Sequence, residues 1–107
     1  MNYKVITLCG SLKFKDEFIR LQKELTLKGS IVLSVSLLGE TDAFKDMDEE
    51  TLNKTVKMLG EMHKRKIDMS DEIFVINVNG YIGESTRSEI KYAEETGKKV
   101  NYLEDVK

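Results

Sequence analysis

The chain has 107 residues, enough for a single domain spanning 1–107 and too few for a second hydrophobic core. Its 17 basic and 19 acidic side chains leave a formal net charge of -2, and the basic residues are spread along the chain, which argues against a broad basic face for polymeric nucleic acid. No segment reaches the roughly 18 apolar residues that a membrane span needs, and a single Cys with a single His leaves any zinc centre to be built mostly from carboxylates, so neither metal nor cofactor is expected.

Tyr3 to Leu8 is rich in β-branched and apolar residues, stops at Gly10-Ser11, and reads as a buried strand. No basic start, apolar stretch and small-residue cleavage site precede it, so a cytoplasmic location is the expectation. A helix follows from about Lys13 to Lys28, where Phe14, Phe18, Leu21 and Leu25 form one apolar stripe and Gly29 stands at the C-cap. Ile31-Val32-Leu33 with Val35 makes a second strand, and the irregular, polar stretch Ser36 to Asp48 reads as a flexible loop over the site. From Glu49 to about Met69 the pattern is helical again, with Leu52, Val56, Leu59, Met62 or His63, and Ile67 near one face. Ile73 to Ile76 is a short strand, apolar throughout, as a strand buried on both sides requires. Asn77 to Gly83 forms a loop, a third helix runs from about Ser85 to Thr96 and closes at Gly97, and Lys99 to Leu103 is the last strand.

Strands alternating with helices imply right-handed crossovers and a parallel sheet. The expected fold is a small three-layer Rossmann/flavodoxin-like α/β domain with four to five strands in the order 2-1-3-4. The chain then reverses direction between strands 1 and 3, which opens a crevice between the loops Cys9-Gly10-Ser11 and Asn77 to Ser85.

Both loops suit an anion. Gly10 lets a ligand approach the main chain, Ser11 offers a hydroxyl or caps the helix, and Lys13 and Lys15 add positive charge. The second loop and the helix start that follows, Asn79 to Glu89, carry two glycines, three hydroxyls, one Arg and two Glu. Backbone N–H groups there, with Ser85, Thr86 and Ser88, can hold a phosphate or sugar hydroxyls. Ser85 or Thr86 is the expected N-cap. Glu89 has two readings: in Thr86-Arg87-Ser88-Glu89 it completes a capping box, or it faces the crevice, where a carboxylate can attack an anomeric carbon and form a covalent glycosyl intermediate. His63 reads either as a general acid or base at the pocket or as a surface residue. Cys9 reads as a small apolar filler with no partner base evident, and Asp68 and Asp71 as residues that shape the turn into the third strand.

Several of these segments resemble the nucleoside 2-deoxyribosyltransferase-like superfamily, which includes 2'-deoxynucleoside 5'-monophosphate N-glycosidases. The matching pieces are Leu8-Cys9-Gly10-Ser11, Asp68 to Ile76, and Gly83 through Ile90 leading to Ala93 and Gly97 to Val100. The resemblance implies that Glu89 is the glycosyl-accepting nucleophile and that phosphate or ribose contacts fall on Gly10, Ser11, Gly83 and Ser85. It also implies a homodimer or larger assembly with sites near the subunit interface. The acidic residue that assists proton transfer in that family falls near His63 or Glu61 here, and Ser70-Asp71 stands where the family has Ala-Asp. The segment Gly80 to Glu89 is similar as well to the glycine-rich, Thr-x-x-Glu signature of the lysine-decarboxylase-like nucleotide phosphoribohydrolases. The expected activity is cleavage or transfer at the N-glycosidic bond of a nucleoside or nucleoside 5'-monophosphate; the alternative is a non-catalytic nucleotide sensor that uses the same pocket.

Overall fold

Alternation along the first strand divides the molecule into two faces. β1 (Val5–Gly10) sends Leu8 into a cluster with Phe18, Leu21 and Ile76, and Cys9 into an opposite cluster with Ile67, Ile73, Val75 and Ala93, because successive side chains point to opposite sides of a strand. The computed structural model describes residues 2–35 and 44–106, so most of the loop expected over 36–48 lies outside the described residues. With β2 (Ile31–Leu33), β3 (Glu72–Ile76) and β4 (Lys99–Tyr102), the sheet has four parallel strands in the order β2-β1-β3-β4. That is the architecture the alternation of elements predicts, at the lower end of the expected strand count.

α1 (Lys15–Leu27) covers the Leu8 face, and α2 (Glu49–Asp68) and α3 (Glu84–Glu95) cover the Cys9 face. The strand that was expected to stop at Leu8 runs on to Gly10, which pairs with Ile76. The first helix is preceded by a 3-10 turn, Leu12–Phe14, whose N-cap is Ser11, its hydroxyl accepting the Lys13 N–H at 3.3 Å. Lys99 to Tyr102 closes the sheet, and the Leu103 N–H still reaches the Val75 carbonyl at 2.8 Å. Among the described residues no helix is long and apolar enough to cross a membrane.

Length mismatch between α2 and the sheet creates the space for a site. Twenty helical residues extend about 30 Å, whereas the six residues of β1 extend about 20 Å. α2 starts at an Asp48 cap that accepts the Thr51 N–H at 2.7 Å, and only its later turns, at His63 and Ile67, are buried. The apolar stripe read from Leu52 to Ile67 therefore divides in two: Ile67 enters the core, while Val56, 57% exposed, and Met62, 47% exposed, overhang the carboxyl edge of the sheet.

Candidate active site

A cavity of about 540 Å³ lies at that edge, where the loops leaving β1 and β3 diverge. Gly10 and Ser11 form one border, the first turns of α3 a second, and the overhanging part of α2 a third. Thus Gly10, Ser11, Gly83, Ser85, Thr86, His63 and Glu89, named separately from sequence, all line one space. Ser88 does not line it and is exposed. It sits about 100° around the helix from Glu89, on the outward side.

The start of α3 corrects the expected cap. Gly83, not Ser85 or Thr86, is the N-cap; its carbonyl accepts the Arg87 N–H at 2.9 Å, and no side chain caps the helix. Glu84, Ser85 and Thr86 then occupy the first turn, whose backbone N–H groups have no partner within the helix. These donors, at the positive end of the helix dipole, border the cavity. Glu89 lies too far along the helix for a capping box, and its carboxylate points inward, 14% exposed, with Oε1 3.7 Å from His63 Nε2. Glu84, also on the first turn, is exposed at the rim of the same cavity.

His63 is 5% exposed rather than a surface residue. Its place follows from helical spacing, because it precedes the fully buried Ile67 by four residues. Cys9 has the neighbour that the sequence did not reveal: its Sγ is 3.5 Å from His63 Nε2, and the ligating atoms of Cys9, His63 and Glu89 lie within 4.8 Å of one another. Thiol, imidazole and carboxylate are together a donor set of the kind that can bind a metal. Among the described residues the second nitrogen, Nδ1, is buried without a well-formed hydrogen bond, the Leu8 backbone being the one main-chain group that acts on the ring.

Burial governs the protonation of this cluster. It pushes Glu89 up to about 7, against the opposing influence of the Cys9 hydrogen bond and the Lys64 charge. It pulls His63 down to about 4, helped by the positive charge of Lys66 and only weakly opposed by the Leu8 backbone. The Cys9 thiol is pushed well above its ordinary range, first by burial and then by the Glu89 charge. At neutral pH the imidazole is therefore neutral, and the carboxyl is the group that exchanges a proton.

The remaining residues sort cleanly. Glu61 is exposed and outside the cavity, so of the two candidates for the acid-assisting position only His63 is at the site. Lys13 holds its ammonium 3.3 Å from the centroid of the Tyr81 ring, which ties the first loop to the second. Tyr81 lines the cavity and packs edge-on against Phe14. Asp71 accepts the Val5 N–H at 2.8 Å and Asp68 accepts the Tyr92 hydroxyl at 2.6 Å, in keeping with their reading as structural residues. The buried Asn77 exchanges two hydrogen bonds with the Glu104 backbone and anchors the base of the second loop.

No protein-family model matches the chain, and no curated protein matches it. The cavity itself then carries the functional argument, and three of its lining residues have no site role in the sequence pattern. Lys66 lines it with Nζ bound to the Ser34 carbonyl at 2.7 Å, and Leu59 and Gly60 belong to the α2 wall. Gly60 lies mid-helix, where glycine costs about 1 kcal/mol relative to Ala. Among the described residues a Cβ there would meet nothing within 4 Å, so none of them requires the glycine. Gly60→Ala is expected to raise the melting temperature by roughly 4–8 °C and, by narrowing the cavity, to reduce the stabilisation that a bound nucleotide gives. Thermal melts with and without deoxynucleotide check both parts.

Proposed function

We propose that the protein cleaves, or transfers at, the N-glycosidic bond of a nucleoside or nucleoside 5'-monophosphate, with Glu89 as nucleophile. The observation that carries this reading is a carboxylate that caps nothing, lies largely buried beside a neutral imidazole, and opens into the same cavity as Gly10, Ser11 and the uncapped start of α3. The free N–H groups of α3, with Ser11 and Ser85, suit a phosphate or sugar oxygens. Val56, Leu59, Met62 and Tyr81 offer an apolar wall for a base.

Ionised Glu89 attacks C1' and forms an ester bond as the C1'–N bond breaks. The electron pair leaves with the base, which takes a proton from solvent water at the open side of the cavity. In hydrolysis a water then attacks C1', gives up its proton, and releases the carboxylate; in transfer a second base takes the place of that water. His63, neutral at this pH, stands beside the carboxylate with Nε2 3.7 Å from Oε1, and in the scheme donates a hydrogen bond to it when the substrate draws the two together. No metal or cofactor takes part in the scheme. The resemblance adds a homodimer or larger assembly, and the half-exposed Val56 and Met62 beside the cavity supply apolar surface for such a contact. Purified protein incubated with a panel of deoxynucleosides and deoxynucleotides releases free base, followed by chromatography; no release from any of them overturns the proposal.

A second reading is a nucleotide sensor. It is favoured by the absence, among the described residues lining the cavity, of a carboxylate at the Glu61 position, where proton transfer would be assisted. Nucleotide-dependent thermal stabilisation without turnover would identify that case.

A further inference from the structure

Cys9, His63 and Glu89 come from three different elements, β1, α2 and α3, and their functional atoms meet on one side of the sheet. The proposed chemistry uses the carboxylate and the imidazole but leaves the thiol without a role. Cys9 is 0% exposed and does not line the cavity, which excludes it as a nucleophile toward a bound molecule. A thiol buried against an imidazole and a carboxylate has another use, as a metal ligand.

We propose that these three side chains form a site for one divalent transition-metal ion of the zinc class, and that an ion held there engages the Glu89 carboxylate and keeps it from C1'. The site stands independently of the proposed function; only its inhibitory consequence rests on that reading. Geometry supplies the first support. Around a tetrahedral zinc ion with sulfur, nitrogen and oxygen ligands, neighbouring ligand atoms stand about 3.3–3.6 Å apart. Here Cys9 Sγ is 3.5 Å and Glu89 Oε1 3.7 Å from the same nitrogen, His63 Nε2, and all three ligating atoms lie within 4.8 Å of one another.

Donor chemistry supplies the second support. Thiolate and imidazole favour zinc over magnesium or calcium, which prefer shells of oxygen. The ion takes the place of the thiol proton, which passes to solvent, and thiolate and carboxylate then balance its two charges in a space largely shielded from water. Position supplies the third. His63 and Glu89 line the cavity and Cys9 lies behind them, so an ion enters through the cavity and keeps its fourth position on that open side. The lysines of α2 that flank His63 are engaged elsewhere: Lys66 holds Nζ on the Ser34 carbonyl at 2.7 Å, and Lys64 lies over the Tyr92 ring, 5.7 Å from its centroid. The lack of a motif with several Cys or His does not exclude such a centre, because packing draws one ligand from each element.

The test titrates the purified, reduced protein with Zn²⁺ and with Co²⁺, for wild type, Cys9→Ser, His63→Ala and Glu89→Gln. Wild type binds one Zn²⁺ per chain in competition with a chromogenic chelator, and Co²⁺ gives a thiolate-to-cobalt charge-transfer band with the strong visible bands of a four-coordinate ion. Cys9→Ser loses the charge-transfer band, and each substitution weakens Zn²⁺ binding by more than the roughly 10–100-fold that removal of an outer partner costs. Should a variant at the buried Cys9 or His63 fail to fold, Glu89→Gln carries the comparison. Mg²⁺ and Ca²⁺ in large excess do not displace the ion. Base release by wild type is blocked by stoichiometric Zn²⁺ and recovers when a chelator is added. Co²⁺ binding without the charge-transfer band, or Zn²⁺ affinity unchanged in Cys9→Ser and Glu89→Gln, overturns the inference, as does full base release with the metal bound. Absence of base release in metal-free wild type would instead overturn the proposed function, and leaves the metal titration readable.

Discussion

Glu89→Gln is expected to abolish the proposed base release, by roughly 10³-fold or more, and at the same time to make the protein more stable above pH 7. The first effect follows from removing the proposed nucleophile while keeping the shape of its side chain. The second follows from linkage. In the folded protein Glu89 titrates at about 7, above its ordinary 4.5, so the folded state holds a proton that the unfolded state has given up. That contribution to stability is complete below 4.5 and lost as the pH rises through 7, a difference of up to about 3 kcal/mol. Gln carries no charge and removes the loss. His63 has the opposite sign: its folded pKa of about 4 lies below the ordinary 6.5, so its contribution is present above 6.5 and lost as the pH falls through 4. In wild type the two oppose each other between 4.5 and 6.5 and stability is nearly flat there. In Glu89→Gln only the His63 slope remains, and stability falls steadily on acidification through that window. Thermal melts by circular dichroism from pH 4 to 9, with chromatography of released base at pH 8, read both effects. Residual turnover near the wild-type rate, or a lower melting temperature at pH 8, would remove Glu89 from its proposed role.

Gly10→Ala has the largest expected cost to the fold. Gly10 ends β1 in register with Ile76, and a Cβ built there would stand 3.0 Å from the Ile76 carbonyl oxygen and 3.1 Å from the Ile76 Cβ, with Phe18 Cζ at 3.4 Å. The nearest of these atoms belongs to the backbone of the central strand β3, at the buried Ile76, and cannot swing aside, and the φ of +159° adds to the strain. The two central strands must part where they open onto the cavity. Overpacking of this kind costs about 1–3 kcal/mol, which lowers the melting temperature by on the order of 10 °C in a domain of this size. The same displacement moves Ser11 and the floor of the cavity, so base release also falls. A variant that melts within about 2 °C of wild type would show that the sheet edge yields more easily than the contact distances imply.

Much of this architecture was legible in the sequence because its signals are local. The runs Tyr3 to Leu8 and Ile73 to Ile76 are apolar and β-branched, the stripe from Phe14 to Leu25 has helical spacing, and Gly29 and Gly97 follow the helices they close. Those features, with the strand-helix alternation, imply a parallel sheet, for which 2-1-3-4 is the expected and observed order. The convergence of Gly10, Ser11 and the start of α3 followed from that order. What could not be read locally was the overlap of three faces. Thr86-Arg87-Ser88-Glu89 satisfies a capping-box pattern, and only the extended backbone at Gly83, which starts the helix earlier, removes Glu89 from that role. The Cys9–His63 contact joins residues 54 apart in sequence, and no spacing rule links a strand residue to a helix residue across a sheet. The burial of His63 could have been inferred from Ile67, one turn later. The division of the α2 stripe into a core end and a cavity end could not, because it depends on the lengths of the strands beneath it.

One consequence of this assembly concerns the order in which the molecule can come together. The cavity takes its borders from the beginning of the chain at Gly10 and Ser11, from the middle at Gly60 and His63, and from the final third at Gly83 to Glu89. No contiguous half of the polypeptide carries all three borders, so the site exists only once β1 and β3 are paired and both later helices have docked. A ligand held there thus engages the native state alone. It links segments that are remote in the chain, and its binding energy is felt by the whole cooperative fold rather than by one loop.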